Sequence, residues 1–131
     1  MSDFRLAKTF DGVDPKSGPY FSGRSIVVDP EEKRRLIAYL DGAPLIRHAP
    51  GFTIDEVDQS KGEVVPIGTA TDGVWIWDIE ISYYLKTYGY APDPEFYEHI
   101  KAQNYQVSTP SEATLLEALR FLMDYEASHQ D

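Results

Sequence analysis

Apolar positions recur at helical spacing in four stretches of the chain. From Asp78 to about Tyr88, at about 100° per residue, Ile81, Tyr84, Leu85 and Tyr88 share one face, and Tyr83 falls opposite, beside Ser82, Lys86 and Thr87. Pro30 to about Asp41 aligns Leu36, Ile37 and Leu40; Pro94 to about Asn104 turns Phe96 and Ile100 inward. Pro110 to about Ala127 directs Leu115, Leu119, Leu122 and Met123 to the core and carries Phe121 and Tyr125, beside Glu117 and Asp124, on the other side. Start signals agree: Asp29-Pro30 with Glu32 reaching back, Thr109-Pro110 with Glu112 reaching back, Asp93-Pro94, and Asp78 as the N-cap of the tyrosine-rich helix. Gly42 and Gly89 are stops.

Alternation marks the strands. "EVVPIGTAT" and "VWIWD" flank Asp72-Gly73, a type I′ hairpin signal that sets Ala70 opposite Trp75 and Gly68 opposite Trp77. Both indoles then lie on one sheet face, where packing under a helix accounts for them; a pocket closed by Tyr105 or His48 is the alternative. "APLIRHAPGF" is interrupted by Pro44 and Pro50 and can form at most a short edge strand. "TIDEVDQSKGE" reads as an acidic loop or one helical turn, and Phe4–Phe10 and Tyr20–Val28 as irregular strands. The pattern predicts a single α+β domain over residues 1–131, with a small, mainly antiparallel sheet and about four helices packed mostly on one side.

Composition narrows the chemistry. The chain has no cysteine, which removes disulfides, thiol nucleophiles and iron–sulfur sites, and no run long enough to cross a bilayer, so a soluble cytoplasmic protein is expected. The net charge is -10: residues 1–35 hold seven basic and six acidic side chains, and the remainder five and sixteen. That sign opposes binding to nucleic acid or to an anionic membrane and suits a basic protein partner. No phosphate-cradling loop or nucleophile elbow occurs; Ser22 and Ser25 lack the elbow context. Of His48, His99 and His129, only His99 has a helical i, i+4 acidic neighbour, Glu95, too few ligands for a metal. Neither a cofactor nor enzymatic activity is expected.

Tyrosine and acid are in joint excess. Six of nine tyrosines, Tyr83, Tyr84, Tyr88, Tyr90, Tyr97 and Tyr105, crowd into one segment. Tyr84, Tyr88 and Tyr97 are expected to cap the core with hydroxyls in water; Tyr83, Phe121 and Tyr125 are the exposed anchors. Residues 66–106, with a TDGxWxW hairpin and a tyrosine-rich helix ending near Tyr88-Gly89, resemble a pattern in small bacterial proteins and are similar in kind to toxin immunity proteins. The resemblance implies a non-enzymatic inhibitor that occludes a basic toxin domain. The expected contact residues are Glu80, Tyr83, Glu117, Phe121, Asp124 and Tyr125, with Asp55, Glu56 and Asp58 as a second patch. A self-associating module is the alternative, and monomer and homodimer both remain open.

Overall fold

The hairpin around Asp72 organises the architecture, although its register differs from the predicted one. The structure is a computed structural model that describes residues 3–129. Strands β5 (Glu63–Thr71) and β6 (Trp75–Asp78) pair Thr71 with Ile76, Ala70 with Trp77 and Thr69 with Asp78. The turn is therefore Gly73-Val74, one residue later than Asp72-Gly73. Gly73 has φ +97 and no other turn residue has positive φ, which a type II′ turn requires and type I′ forbids. Asp72 is held outside the turn because its carboxylate accepts the Val74 and Trp75 N–H groups at 2.9 and 2.8 Å.

Four strands form the main sheet in the order β1 (Arg5–Leu6), β6, β5, β4 (Leu45–Ile54). The β5 pairs are antiparallel and the β1–β6 pair is parallel. A separate small ribbon pairs β2 (Gly12–Asp14) with β3 (Gly18–Tyr20), replacing the longer N-terminal strands expected from the sequence. β4 is also longer than predicted. It absorbs its prolines through register shifts between Leu45 and Arg47 and between His48 and Phe52, the latter enclosing Pro50 and Gly51. The acidic segment that follows makes one 3₁₀ turn, Gln59–Lys61.

Helices α1 (Pro30–Gly42), α2 (Glu80–Tyr88) and α3 (Pro94–Ala102) cover one sheet face, and α4 (Glu112–Ser128) covers the other. The class is α+β. On the three-helix face, Trp75, Trp77 and Ala70 join Leu36, Leu40, Ile81, Leu85, Phe96 and Ile100 in one core. Each fully buried large aliphatic side chain there contributes roughly 1.5–3 kcal/mol. Trp75 and Trp77 are 3% and 1% exposed, which makes them core residues. On the other face Ile76 packs with Phe4, Ala118 and Leu122, with Phe121 against this cluster. α4 thus rolls toward Phe121 relative to its predicted orientation, leaving Met123 and Leu116 exposed.

Several caps also depart from the sequence reading. Asp29, Asp93 and Ser111 accept from Glu31, Glu95 and Thr114 N–H groups, so Ser111 replaces Thr109. Glu32 does not reach back, because its carboxylate accepts the Tyr97 and Tyr105 hydroxyls. α2 has no side-chain cap: its N-cap is Ile79, and Asp78 belongs to β6. Gly73→Ala is expected to cost about 1–2 kcal/mol, since an L-residue resists that φ and its Cβ would lie 3.3 Å from Pro110. A urea midpoint equal to wild type would refute this account of the turn.

Candidate functional site

β6 ends at Asp78, level with Arg47 near the start of β4, and α2, which begins two residues later, carries Tyr84 to the Glu56 N–H just past the far end of β4. Three carboxylates lie along this path: Asp78 at the end of β6, Glu80 at the start of α2, and Glu56 just past β4. Glu80 is half-buried and receives no hydrogen bond or ion pair among the described residues. Burial first, and then the charges of Asp78 and Glu56, push its carboxyl up to about 7. Asp78 is also raised, chiefly by burial and further by Glu126, against the pull of Thr69, Thr9 and Arg47. Its hydrogen bonds are long: Thr9 Oγ1 lies 3.4 Å from one carboxylate oxygen and Thr69 Oγ1 3.4 Å from the other.

The alternation that buries both indoles on one face turns Asp78 to the other, toward α4. Arg47, Thr69 and Asp78 form a row across β4, β5 and β6. Arg47 offsets the Asp78 charge only from a distance, because its guanidinium forks onto Glu126 of α4 at 2.6 and 2.7 Å. That pairing holds the Glu126 carboxyl below its usual range. Beside the row, between α4 and the strands, is a pocket of about 360 Å³ lined by residues that include Leu6, Lys8, Ile76, Asp78, Leu122 and Tyr125. Trp77 also borders it and Trp75 does not.

The predicted contact residues divide in space. Glu56 and Glu80 come together, with Asp58 half-buried in the adjoining loop. Asp55 is not a surface contact: it is 0% exposed. Its carboxylate accepts the Tyr83 and Tyr88 hydroxyls at 2.6 and 2.7 Å and the Val57 and Asp58 N–H groups, each at 2.8 Å. Burial alone would raise this carboxyl, and the bonds from Tyr83, Asp58, Tyr88 and Val57 bring it below its ordinary value. Tyr83 is likewise no free anchor, being half-buried with its hydroxyl held by Asp55. Phe121 is half-buried against Phe4, with ring centroids 5.6 Å apart. Glu117 and Asp124 are exposed on α4, across the sheet from α2. Tyr125 stacks on His129 at 3.9 Å and reaches the pocket.

The tyrosines expected to wet their hydroxyls do not. Tyr88 donates to Asp55, Tyr97 to Glu32, and Tyr84 accepts from Glu56 N–H at 2.9 Å. The Glu95–His99 pair is also drawn apart, Glu95 to Arg5 and His99 to Asp72. Asp78, read from the sequence as a helix cap, and Glu126 are the site residues absent from the expected contacts. Strand alternation carried the signal for Asp78, which shares parity with Ile76; nothing in the pattern announces Glu126. No family model, curated protein or solved structure matches the chain.

Two outcomes follow from this geometry. Above the ordinary carboxyl value of 4.5 the unfolded chain releases the Glu80 proton while the folded chain retains it to about 7, so stability falls as pH rises across that interval. The expected loss is on the order of 1–2 kcal/mol for a half-solvated group, and Glu80→Gln should flatten the decline in urea titrations; an unchanged slope would place the proton elsewhere. Asp55→Ala leaves two hydroxyls and two N–H groups without their acceptor, and should cost about 3 kcal/mol or more in the same assay. A near-neutral result would restore Asp55 to the list of surface residues.

Proposed function

We propose that this chain is a non-enzymatic cytoplasmic binding protein that covers the basic surface of a partner protein, in the manner of a toxin immunity protein. The observation that carries the reading is half-buried Glu80, which lies within the influence of the Asp78 and Glu56 charges and, among the described residues, receives no hydrogen bond or ion pair. Like charges so placed raise the free energy of the unbound state, and an arriving cation relieves it. The long-range field of a chain with net charge -10 favours encounter with a basic partner, and short-range complementarity fixes the orientation. Carboxylates docked on a basic active surface would stand where an anionic substrate binds, which is inhibition by occlusion. Glu56, Asp58, Glu80 and Tyr125 remain contact residues from the sequence reading, joined by Asp78 and Glu126; Asp55 and Tyr83 support them from within. No helix among the described residues is long and apolar enough to cross a membrane.

A second reading, self-association through α4, is favoured by one observation: Leu116 and Met123 are 64% and 56% exposed on that helix. Sedimentation of the chain alone, with and without Leu116→Glu, separates the two. A homodimer dissolved by that substitution supports the second reading.

The first reading is tested by capturing a partner from the parent organism at low salt and titrating the purified partner against wild type and the Glu56→Gln/Glu80→Gln variant. Affinity should fall with salt, and the variant should lose about ten-fold or more with a shallower salt slope. Binding by wild type should also release protons near neutral pH, visible as a dependence of the heat on buffer ionisation. A partner bound equally by both proteins at all salt concentrations would overturn the reading.

A further inference from the structure

The pocket beside the acidic cluster has a distinct chemistry. Its floor is apolar, from Leu6, Ile76 and Leu122, and Asp78 stands at one wall with Thr69 beside it. We propose that this pocket is a receptor for a single lysine side chain of the basic partner; the assignment rests on the reading of the chain as a basic-protein binder and adds its anchor. The volume of about 360 Å³ is at the small end of ligand sites and ample for a butylammonium group. A four-carbon stem lies over the leucines and isoleucine, and the ammonium at its tip meets the carboxylate.

Three observations select this occupant. Asp78 is half-buried, and the nearest guanidinium, Arg47, is held by Glu126 through two bonds, so the resident cation is already engaged. Among the described residues the Asp78 carboxylate takes hydrogen bonds from two hydroxyls, each at 3.4 Å, and a hydroxyl can rotate to present a lone pair to a cation. Those hydroxyls also distinguish lysine from arginine. Thr9 flanks one carboxylate oxygen and Thr69 the other, which crowds the paired edge that a guanidinium fork needs, whereas an ammonium accepts oxygens from several directions. Glu126, also in the lining, is taken up by the Arg47 fork, so a second positive charge on the occupant finds no open carboxylate beside it, which disfavours free diamines.

The test uses the isolated, isotopically labelled chain titrated by NMR with Nα-acetyl-L-lysine N-methylamide. Shifts should centre on Thr69, Ile76, Asp78 and Leu122, and the norleucine analogue, which lacks the charge, should bind at least about five-fold more weakly, as should the arginine analogue and 1,4-diaminobutane. Asp78→Asn should weaken lysine-amide binding about ten-fold or more with the remaining spectrum intact. Thr69→Val, should Asp78→Asn not fold, is expected to weaken it about three-fold. Equal binding of the norleucine amide, or no loss in either variant, overturns the pocket assignment. Tighter binding of the diamine also overturns it, making a free polyamine the occupant. The amide titrations require no partner, and the partner titration separates the two readings: loss of the lysine response with a salt-sensitive partner still bound through Glu56 and Glu80 would defeat the pocket alone, and a lysine response beside an indifferent Glu56→Gln/Glu80→Gln variant would defeat the surface reading alone.

Discussion

A buried carboxylate satisfied by tyrosine hydroxyls is the interaction on which the rest of this structure depends. At the hairpin, Asp72 is 5% exposed and accepts from the Tyr39 hydroxyl of α1, from two backbone N–H groups of its own turn, and stands 2.9 Å from His99 Nε2 of α3. One side chain thus fastens a turn and two helices. Asp55 does the same between the loop after β4 and α2, through Tyr83 and Tyr88; Glu32 does so between α1 and the α3 region, through Tyr97 and Tyr105. Asn104 and Tyr105, with φ 56 and 59, bend the chain back after α3 and bring that last hydroxyl to its acceptor. Five tyrosines serve three carboxylates. Asp55 and Asp72 are buried, where an ionised carboxylate is tolerable only with its acceptor sites filled, so those two pairings are conditional on the whole fold; Glu32 is half-buried.

The same principle separates the acids that build the protein from those available to something else. Among the described residues Asp55 and Asp72 each have several donors, whereas Asp78 has two distant hydroxyls and Glu80 has none. The tilt of the carboxyl equilibria follows the donors: Asp55 lies below its ordinary value and Glu80 well above it. Burial is common to both, and hydrogen bonding decides the sign.

Periodicity made the four helices, the hairpin and the core position of both tryptophans legible, because burial of a face leaves its period in the chain. Donor and acceptor assignments leave no such trace. Asp55 and Glu56 are adjacent acids in one loop, and burial under the hydroxyls of an α2 separated by two strands makes the first structural and leaves the second half-buried. The excess of tyrosine and acid was visible, but composition does not distinguish a recognition surface from an internal network. The hairpin register slipped for a related reason: Asp72-Gly73 is a good local turn, and tertiary acceptance from Tyr39 and proximity to His99 require Asp72 to precede it. β4 was underestimated because a proline forbids a regular ladder and permits a bulged one.

The irregular β4 has a further consequence. It is one outer strand of the sheet, and β1, the other, is only two residues long. A short border offers almost no template to a second chain, and a border broken by Pro50 and Gly51 cannot extend a continuous ladder to one. The kinks that obscured β4 in the sequence therefore act as protection against strand-by-strand aggregation, at the one sheet margin long enough to need it.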